Sequence, residues 1–179
     1  MERIGRYEIL GELGRGGMGI VYRAQDPVIG RTVAIKTIRL EGFTEAEEME
    51  RLRERLFREA RSAGILSHPN IVTIYDIGQE GDTAYIAMEF VNGATMEGLL
   101  KKSGAVAPEQ LLRILRETAS ALDYAHSKGI IHRDIKPANL MVTEAGAVKI
   151  TDFGVAKITS HQITQPEMQI GRASCRERV

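Results

Sequence analysis

Apolar residues in the first half of the chain fall into short runs that are typical of β-strands. Residues 33–38 and 83–88 are rich in β-branched and aromatic side chains, and turn-forming residues flank both runs. Residues 78–82 contain two glycines and an aspartate, and they predict a hairpin connection between the second run and the apolar run before it. Residues 7–90 are therefore expected to be mainly β-structure.

Two longer segments repeat their apolar residues at steps of three and four, which indicates amphipathic helices. The first covers residues 44–64, and Thr44 with Glu47 forms a capping box at its start. The second covers residues 108–127, opens with a proline, and carries apolar residues on more than one stripe, so we expect burial on several sides. The order predicts a β-rich lobe with one helix, a joint at residues 91–93, and a helical lobe.

Composition excludes several classes of protein. The chain has 179 residues, 43% of them hydrophobic, which excludes global disorder. Its 24 basic and 24 acidic residues balance, so charge gives no indication of a nucleic-acid or anionic membrane partner. No apolar stretch reaches the length of a membrane-spanning helix. The single cysteine, Cys175, forms no internal disulfide and favours a cytoplasmic location.

Glycines in the first strand region form the pattern G-x-G-x-x-G over Gly14, Gly16 and Gly19. Alone this pattern is equally consistent with a plain turn or with a dinucleotide site, which needs a helix after the glycines. Here residues 20–24 have the composition of a second strand instead. The pattern therefore predicts a flexible hairpin whose backbone amides can approach phosphates closely, because glycine has no Cβ.

Lys36 follows in the strand V-A-I-K. A strand lysine in isolation is most simply a solvated edge residue, but downstream of a glycine-rich hairpin it becomes a candidate for binding the α- and β-phosphates. Such a lysine needs a carboxylate to hold its flexible stem, and Glu59 on the first helix is the preferred candidate. Pairing of Glu59 with Arg55 or Arg58 on its own helix is one alternative. Other glutamates of the same segment compete for the role, namely Glu47, Glu48, Glu50 and Glu54.

Two further motifs decide the interpretation of the glycine-rich segment and of Lys36. They leave the pairing of Glu59 open. Residues 131–139 read I-H-R-D-I-K-P-A-N, and residues 150–154 read I-T-D-F-G. With the two earlier motifs in the same order, the chain resembles a eukaryotic-like bacterial serine/threonine protein kinase, and Lys136 is typical of the serine/threonine class. The resemblance implies an α+β, bilobal protein-kinase-like fold, with an N-lobe at residues 1–91 and a partial C-lobe at residues 92–168.

The resemblance also implies a role for each motif residue, with ATP and Mg²⁺ (or Mn²⁺) as cofactors. Asp134 would accept the proton of the substrate hydroxyl, and Lys136 would reach the γ-phosphate. Asn139 and Asp152 would bind the metal ion. The residues implied to hold the nucleotide are Leu13, Gly14, Gly16, Gly17, Gly19, Val21, Ala34, Lys36, Met88, Glu89, Val91 and Met141.

The implied partners are proteins that carry Ser or Thr, and second copies of the kinase in dimerisation or trans-autophosphorylation. Arg133, expected to be buried beside Asp134, implies control by phosphorylation at Thr159, Ser160 or Thr164. Two other classes are weighed. A nucleotide-binding pseudokinase scaffold conflicts with the intact motif residues, and a small-molecule kinase of related fold would be expected to depart from the D-x-K-P-x-N loop.

The last residues match no kinase element. Residues 169–179 read Q-I-G-R-A-S-C-R-E-R-V, which corresponds to the translation of a common sequencing adapter, so we expect a non-native tail; a genuine basic tail is the alternative. The segments that follow D-F-G in kinase domains are missing. We therefore expect this chain to expose apolar surface on its helical lobe and to be inactive, and a missing C-terminal segment could anchor the full-length protein to a membrane.

Overall fold

Six antiparallel strands form the larger of two sheets in the computed structural model, which describes residues 2–16, 19–39, 46–81 and 83–153. The spatial order is first, second, third, fourth, sixth, fifth. The β-rich first half is confirmed, and so is the hairpin between the fifth and sixth strands. In chain order the strands are β1 Arg3–Ile4, β2 Tyr7–Gly16, β3 Gly19–Asp26, β4 Arg31–Arg39, β5 Ile74–Glu80 and β6 Thr83–Glu89.

One amphipathic helix, α1 (Ala46–Gly64), packs against this sheet. Leu56 and Ala60 on its apolar face are fully buried in one cluster with Ile86 of β6. The predicted helix is confirmed because its three-and-four spacing gathers these side chains on one face. Thr44 of the predicted capping box lies outside the described residues.

The second half holds a small three-stranded sheet and two helices. The strands are β7 Gly93–Thr95, β8 Leu140–Thr143 and β9 Val148–Ile150, and the helices are α2 Met96–Ser103 and α3 Pro108–Ser127. Thr95 caps α2 because its Oγ1 accepts the Gly98 N–H at 3.0 Å. The hydropathy pattern indicated neither α2 nor the small sheet, since these elements are three to eight residues long and carry little periodicity.

Helix α3 has the bounds that the sequence predicts, but its expected burial on several sides is wrong. Only one stripe is buried, which consists of Ile114, Thr118, Ala121 and Ala125. Leucines on the neighbouring face are exposed, and Leu112 has the largest exposed fraction, 63%. No element among the described residues packs on that face. Apolar composition thus marked residues suited to burial without showing what covers them.

The segment between α1 and β5 joins the two sheets. Ile71 forms a parallel bridge with Ile150 of β9, and the Val72 N–H donates to the Ile150 carbonyl at 2.9 Å. Both isoleucines are buried. The end of β9 is therefore fixed beneath the larger sheet, at the boundary of the two halves. Within the described part of the chain, no helix has the length and apolar character needed to cross a membrane.

Candidate active site

A cleft of about 520 Å³ lies between the two sheets. Its walls contain most of the side chains predicted to hold a nucleotide, together with Asp152. The predicted residues on the walls are Leu13, Val21, Ala34, Lys36, Met88, Glu89, Val91 and Met141. The sequence reasoning missed Val72, Phe90, Asn92, Gly93, Ala94, Thr95, Ala138 and Thr151, which also line the cleft. All of these except Val72 lie within four residues of a predicted site residue, so proximity along the chain was the signal available.

The glycine-rich segment forms the predicted hairpin, with Gly16 opposite Gly19 where β2 and β3 meet. Gly19 has a φ of +149°, and a Cβ there would lie 1.8 Å from the Thr37 carbonyl oxygen, so the fold itself requires glycine. A Cβ on Gly14 or Gly16 would meet nothing within 4 Å. Packing therefore does not explain those two glycines. Gly17 lies outside the described residues.

Lys36 forms an ion pair with Asp152, with 2.7 Å between Nζ and Oδ1. The lysine side chain is only 13% exposed, so the pair is partly shielded from water. The expected contact with Glu59 is not formed. Glu59 instead accepts a hydrogen bond from the Arg55 Nε at 3.3 Å, one turn away on α1, which is the alternative that the sequence left open.

Asp134 lies in a short loop stabilised by two neighbours. Its Oδ2 accepts hydrogen bonds from the Lys136 Nζ at 2.7 Å and from the Asn139 Nδ2 at 3.1 Å. The Asn139 Nδ2 also donates to the Asp134 carbonyl at 2.8 Å. The hydrogen bond from Lys136 holds the pKa of the Asp134 carboxyl below its usual value. The carboxylate is therefore ionised at neutral pH and can accept a proton.

His132 connects the two aspartate segments, a role that the sequence reasoning missed. It is 1% exposed, and its ring packs edge-on against Phe153 with 4.6 Å between ring centroids. The Nε2 donates to the Thr151 carbonyl at 2.8 Å, while Nδ1 accepts the Asp134 N–H at 3.3 Å. Burial lowers the pKa of His132, which keeps the ring neutral.

Backbone strain marks both segments. Arg133 and Asp152 have φ values of +68° and +65°, which non-glycine residues rarely adopt. Arg133 is exposed although the preceding His132 is buried, so the expectation that Arg133 is buried is wrong. The predicted phosphorylation sites Thr159, Ser160 and Thr164 lie outside the described residues, as do residues 169–179.

A second ion pair spans the cleft wall at the end of β6. Lys149 of β9 places its Nζ 2.8 Å from Oε1 of Glu89 and 3.0 Å from Oε2. Both side chains are at least three-quarters buried, and the Glu89 N–H donates to the Thr73 carbonyl at 2.8 Å. The sequence reasoning did not select Lys149, because a lysine in a three-residue strand gives no local signal. The pair holds Glu89 against β9.

A cleft between two sheets that is lined by Lys36 and Asp152, beside a loop that holds Asp134 and Asn139, is typical of a nucleotide-dependent transferase. Residues 7–173 match the protein kinase domain model, and the chain belongs to the protein kinase family. It is 44% identical over 168 residues to serine/threonine-protein kinase PrkC of Bacillus subtilis, covering 93% of this chain and 25% of that protein. It is 41% identical over 175 residues to serine/threonine-protein kinase PknA of Mycobacterium tuberculosis, and the match covers 94% of this chain and 40% of that protein.

The fold also matches a solved structure described as the PpkA-294 apo form. The TM-score is 0.78 at 29% identity, and the match covers 90% of this chain and 63% of that one. The predicted α+β kinase-like fold is thereby confirmed. The chain spans between a quarter and two fifths of the length of the curated relatives. Protein kinases as a family use ATP and a divalent metal ion and act on proteins.

Proposed function

We propose that this protein transfers the γ-phosphoryl group of ATP to Ser and Thr hydroxyls of proteins. The observation that carries the proposal is that Lys36 and Asp152 line one cleft as an ion pair, next to a loop in which Asp134 and Asn139 are hydrogen-bonded to each other. The Asn139 carbonyl of that loop accepts the N–H of Thr151, the residue before Asp152, and these four residue types are the ones that phosphoryl transfer needs. The likeness to named serine/threonine kinases supports the same class of substrate. We propose residues 1–91 and 92–168 as the two lobes.

The cleft suits an adenine nucleotide. Leu13, Val21, Ala34 and Met141 give it apolar walls on which a planar base can lie. Glu89 and Val91 also line it, and the resemblance to protein kinases implies that their backbone groups would bind the base. Lys36 supplies a positive charge for the phosphates. The open space around Gly14 and Gly16 supports a close approach of the hairpin amides to phosphate, because no protein atom fills it.

The donor set also fits a divalent cation. Asn139 uses its amide nitrogen on Asp134, which leaves its side-chain oxygen for a metal ion, and Asp152 supplies carboxylate oxygens. Hard oxygen ligands are what Mg²⁺ and Mn²⁺ prefer. When bound, the cation offsets the negative charge on the phosphates during transfer. Lys36 now occupies one Asp152 oxygen, so it must share this carboxylate with the cation or move to Glu59.

Proton transfer falls to Asp134. Its low pKa keeps it ionised, so it can orient the attacking hydroxyl and accept its proton. Lys136 donates to the same carboxylate and has an exposed stem, so it can also contact the transferred phosphoryl group. These roles give the Ser/Thr hydroxyl its nucleophilic activation and its alignment.

The test is phosphate transfer by the purified product of the whole reading frame. With γ-labelled ATP, Mg²⁺ and casein, we expect label on Ser and Thr. Asp134→Asn and Lys36→Met should each reduce the rate by about 100-fold or more, because each removes a group acting on the reacting atoms. Glu97→Gln, on the exposed side of α2, is the matched control and should retain activity.

The other classes give different results. ATP binding without labelled protein would support a nucleotide-binding scaffold, and label only on added small molecules would support a small-molecule kinase; either result contradicts the proposal. Trans-autophosphorylation between separate copies predicts an initial rate that rises with the square of the kinase concentration, whereas transfer within a stable dimer predicts a linear rise. We also propose a cytoplasmic location, which cell fractionation checks; Cys175 lies in the tail expected to be non-native, so it does not carry this proposal.

A further inference from the structure

Strand β9 is an edge strand whose outer backbone groups are all satisfied from outside its own sheet. The spatial order of the small sheet is β7-β8-β9, so one edge of β9 faces α3 and residues 70–72. Unpaired N–H and C=O groups at a buried edge carry a large cost. The partners that satisfy this edge therefore determine where β9, and the Asp152 that follows it, can lie.

Two polar side chains bind the peptide groups of Val148 on that edge. The Glu117 Oε2, on α3, accepts the Val148 N–H at 2.8 Å, and the Asn70 Nδ2 donates to the Val148 carbonyl at 2.8 Å. The same Asn70 Nδ2 donates to the Glu117 Oε2 at 3.1 Å. The three groups form a closed network, in which Glu117 also fixes the side chain of Asn70.

The network continues to the residue pair before Asp152. The Ile150 N–H donates to the backbone carbonyl of Asn70 at 2.8 Å, and the Ile150 carbonyl accepts the Val72 N–H at 2.9 Å. On the opposite edge, the Thr151 N–H donates to the Asn139 carbonyl at 3.0 Å. Asp152 thus follows a segment that is held on both edges. On the outer edge, Asn70 binds Val148 through its side chain and Ile150 through its backbone carbonyl.

Glu117 lies on a partly exposed helix face, where an ion pair with a neighbouring arginine is common, but it also binds groups outside its own helix. It is 25% exposed, and its Oε1 accepts the Arg113 Nε at 3.0 Å, an i,i+4 contact that explains only one of its oxygens. The other oxygen binds Val148 and Asn70. The ion pair with Arg113 does not require the contacts with Val148 and Asn70. These two contacts therefore give Glu117 a second role, which is to hold β9.

We propose that Glu117 and Asn70 are positioning residues that set Asp152 for the divalent cation. The inference rests on the proposed function, because it takes Asp152 as a metal ligand. Groups that hydrogen-bond directly to metal ligands change metal affinity by about 10- to 100-fold when they are lost. Glu117 and Asn70 act on Asp152 at a further remove, through the backbone of β9, so an effect at the lower end of that range, about 10-fold, is expected. Loss of Glu117 should therefore weaken cation binding while leaving Asp134 and its hydrogen bonds unchanged.

The experiment measures Mn²⁺ affinity by electron paramagnetic resonance in the presence of a non-hydrolysable ATP analogue. For Glu117→Leu we expect the Mn²⁺ dissociation constant to rise about 10-fold. Glu117→Gln keeps an acceptor for the Val148 N–H and should stay near wild type. Glu97→Leu, an exposed helix glutamate paired only with Lys101 in the described structure, is the matched control and should bind Mn²⁺ as wild type does.

The outcomes separate this inference from the proposed function. Unchanged Mn²⁺ affinity in folded Glu117→Leu overturns the inference. If that variant does not fold, Asn70→Ala decides in its place, because it removes only the side-chain half of the network. Asp152→Asn tests the site itself: unchanged affinity in this variant contradicts the metal role and the proposed function together. Loss of binding in Asp152→Asn with normal binding in the Glu117 and Asn70 variants contradicts the inference alone.

Discussion

Replacement of His132 by phenylalanine should remove a defined part of the pH dependence of folding. The ring is 1% exposed, and both nitrogens already have partners: Nε2 donates to Thr151, and Nδ1 accepts from Asp134. Protonation would bury a charge and would place a second N–H against the Asp134 N–H. Burial is the main cause that lowers the pKa of His132 below its usual value of 6.5 in the folded state.

The sign of the effect follows from the two states. As pH falls below 6.5, the unfolded chain takes up a proton on this ring while the folded protein does not, so the free energy of unfolding decreases. A ring that is neutral in the folded state sets an upper limit of about 1 kcal/mol on the loss between pH 7.5 and pH 5.5. Above pH 6.5 this contribution to stability is fully present.

The assay is urea unfolding of wild type and His132→Phe at both pH values. Phenylalanine keeps a ring beside Phe153 but cannot titrate, so on acidification the variant should lose less stability than wild type, by at most about 1 kcal/mol. Its lower stability at either single pH does not enter this difference. His126→Gln controls for removal of an exposed imidazole on α3. Equal pH dependence in wild type and His132→Phe would refute the buried, neutral state of His132.

Two further predictions concern single contacts. Lys136→Met removes the hydrogen bond that lowers the pKa of Asp134, and the pKa of Asp134 should therefore rise. The acid limb of the pH profile of kcat/KM should then move to higher pH. An acid limb that does not move would argue against Asp134 as the base. Gly93→Ala would place a Cβ 2.1 Å from the Val142 carbonyl oxygen and should lower the free energy of unfolding by about 1–3 kcal/mol in thermal melts. Gly64→Ala, where nothing lies within 4 Å, should change it little, and equal losses in both variants would contradict the close approach.

Elements with strong periodicity could be predicted from the sequence. Helices α1 and α3 and the strands around Lys36 appear where the spacing of apolar residues indicates them, because burial on one face is a local property of the pattern. The catalytic loop is similar: Asp134, Lys136 and Asn139 contact one another because they lie within six residues. Such contacts need only the correct local backbone.

Contacts between distant segments could not be predicted in the same way. The Lys149–Glu89 pair joins residues 60 apart, and Glu117 reaches Val148 across 31 residues. Each charge has several possible partners in the sequence, and only the packing of α3 and β9 selects one. The exposure of Leu112 has the same origin, since a helix encodes an apolar face but not the element that covers it.

Lys36 has two carboxylates as possible partners, Asp152, with which it pairs, and Glu59, which the sequence predicts. Glu59 has Arg55 on one oxygen, while its other oxygen is buried and no described residue donates to it. An unsatisfied buried acceptor costs about 1–3 kcal/mol, and more when it is charged. A movement of α1 that brings Glu59 to Lys36 would satisfy this oxygen and release Asp152 for a cation. The second Glu59 oxygen is therefore open to a further donor, and the Lys36–Glu59 pair stays a prediction for the nucleotide-bound protein.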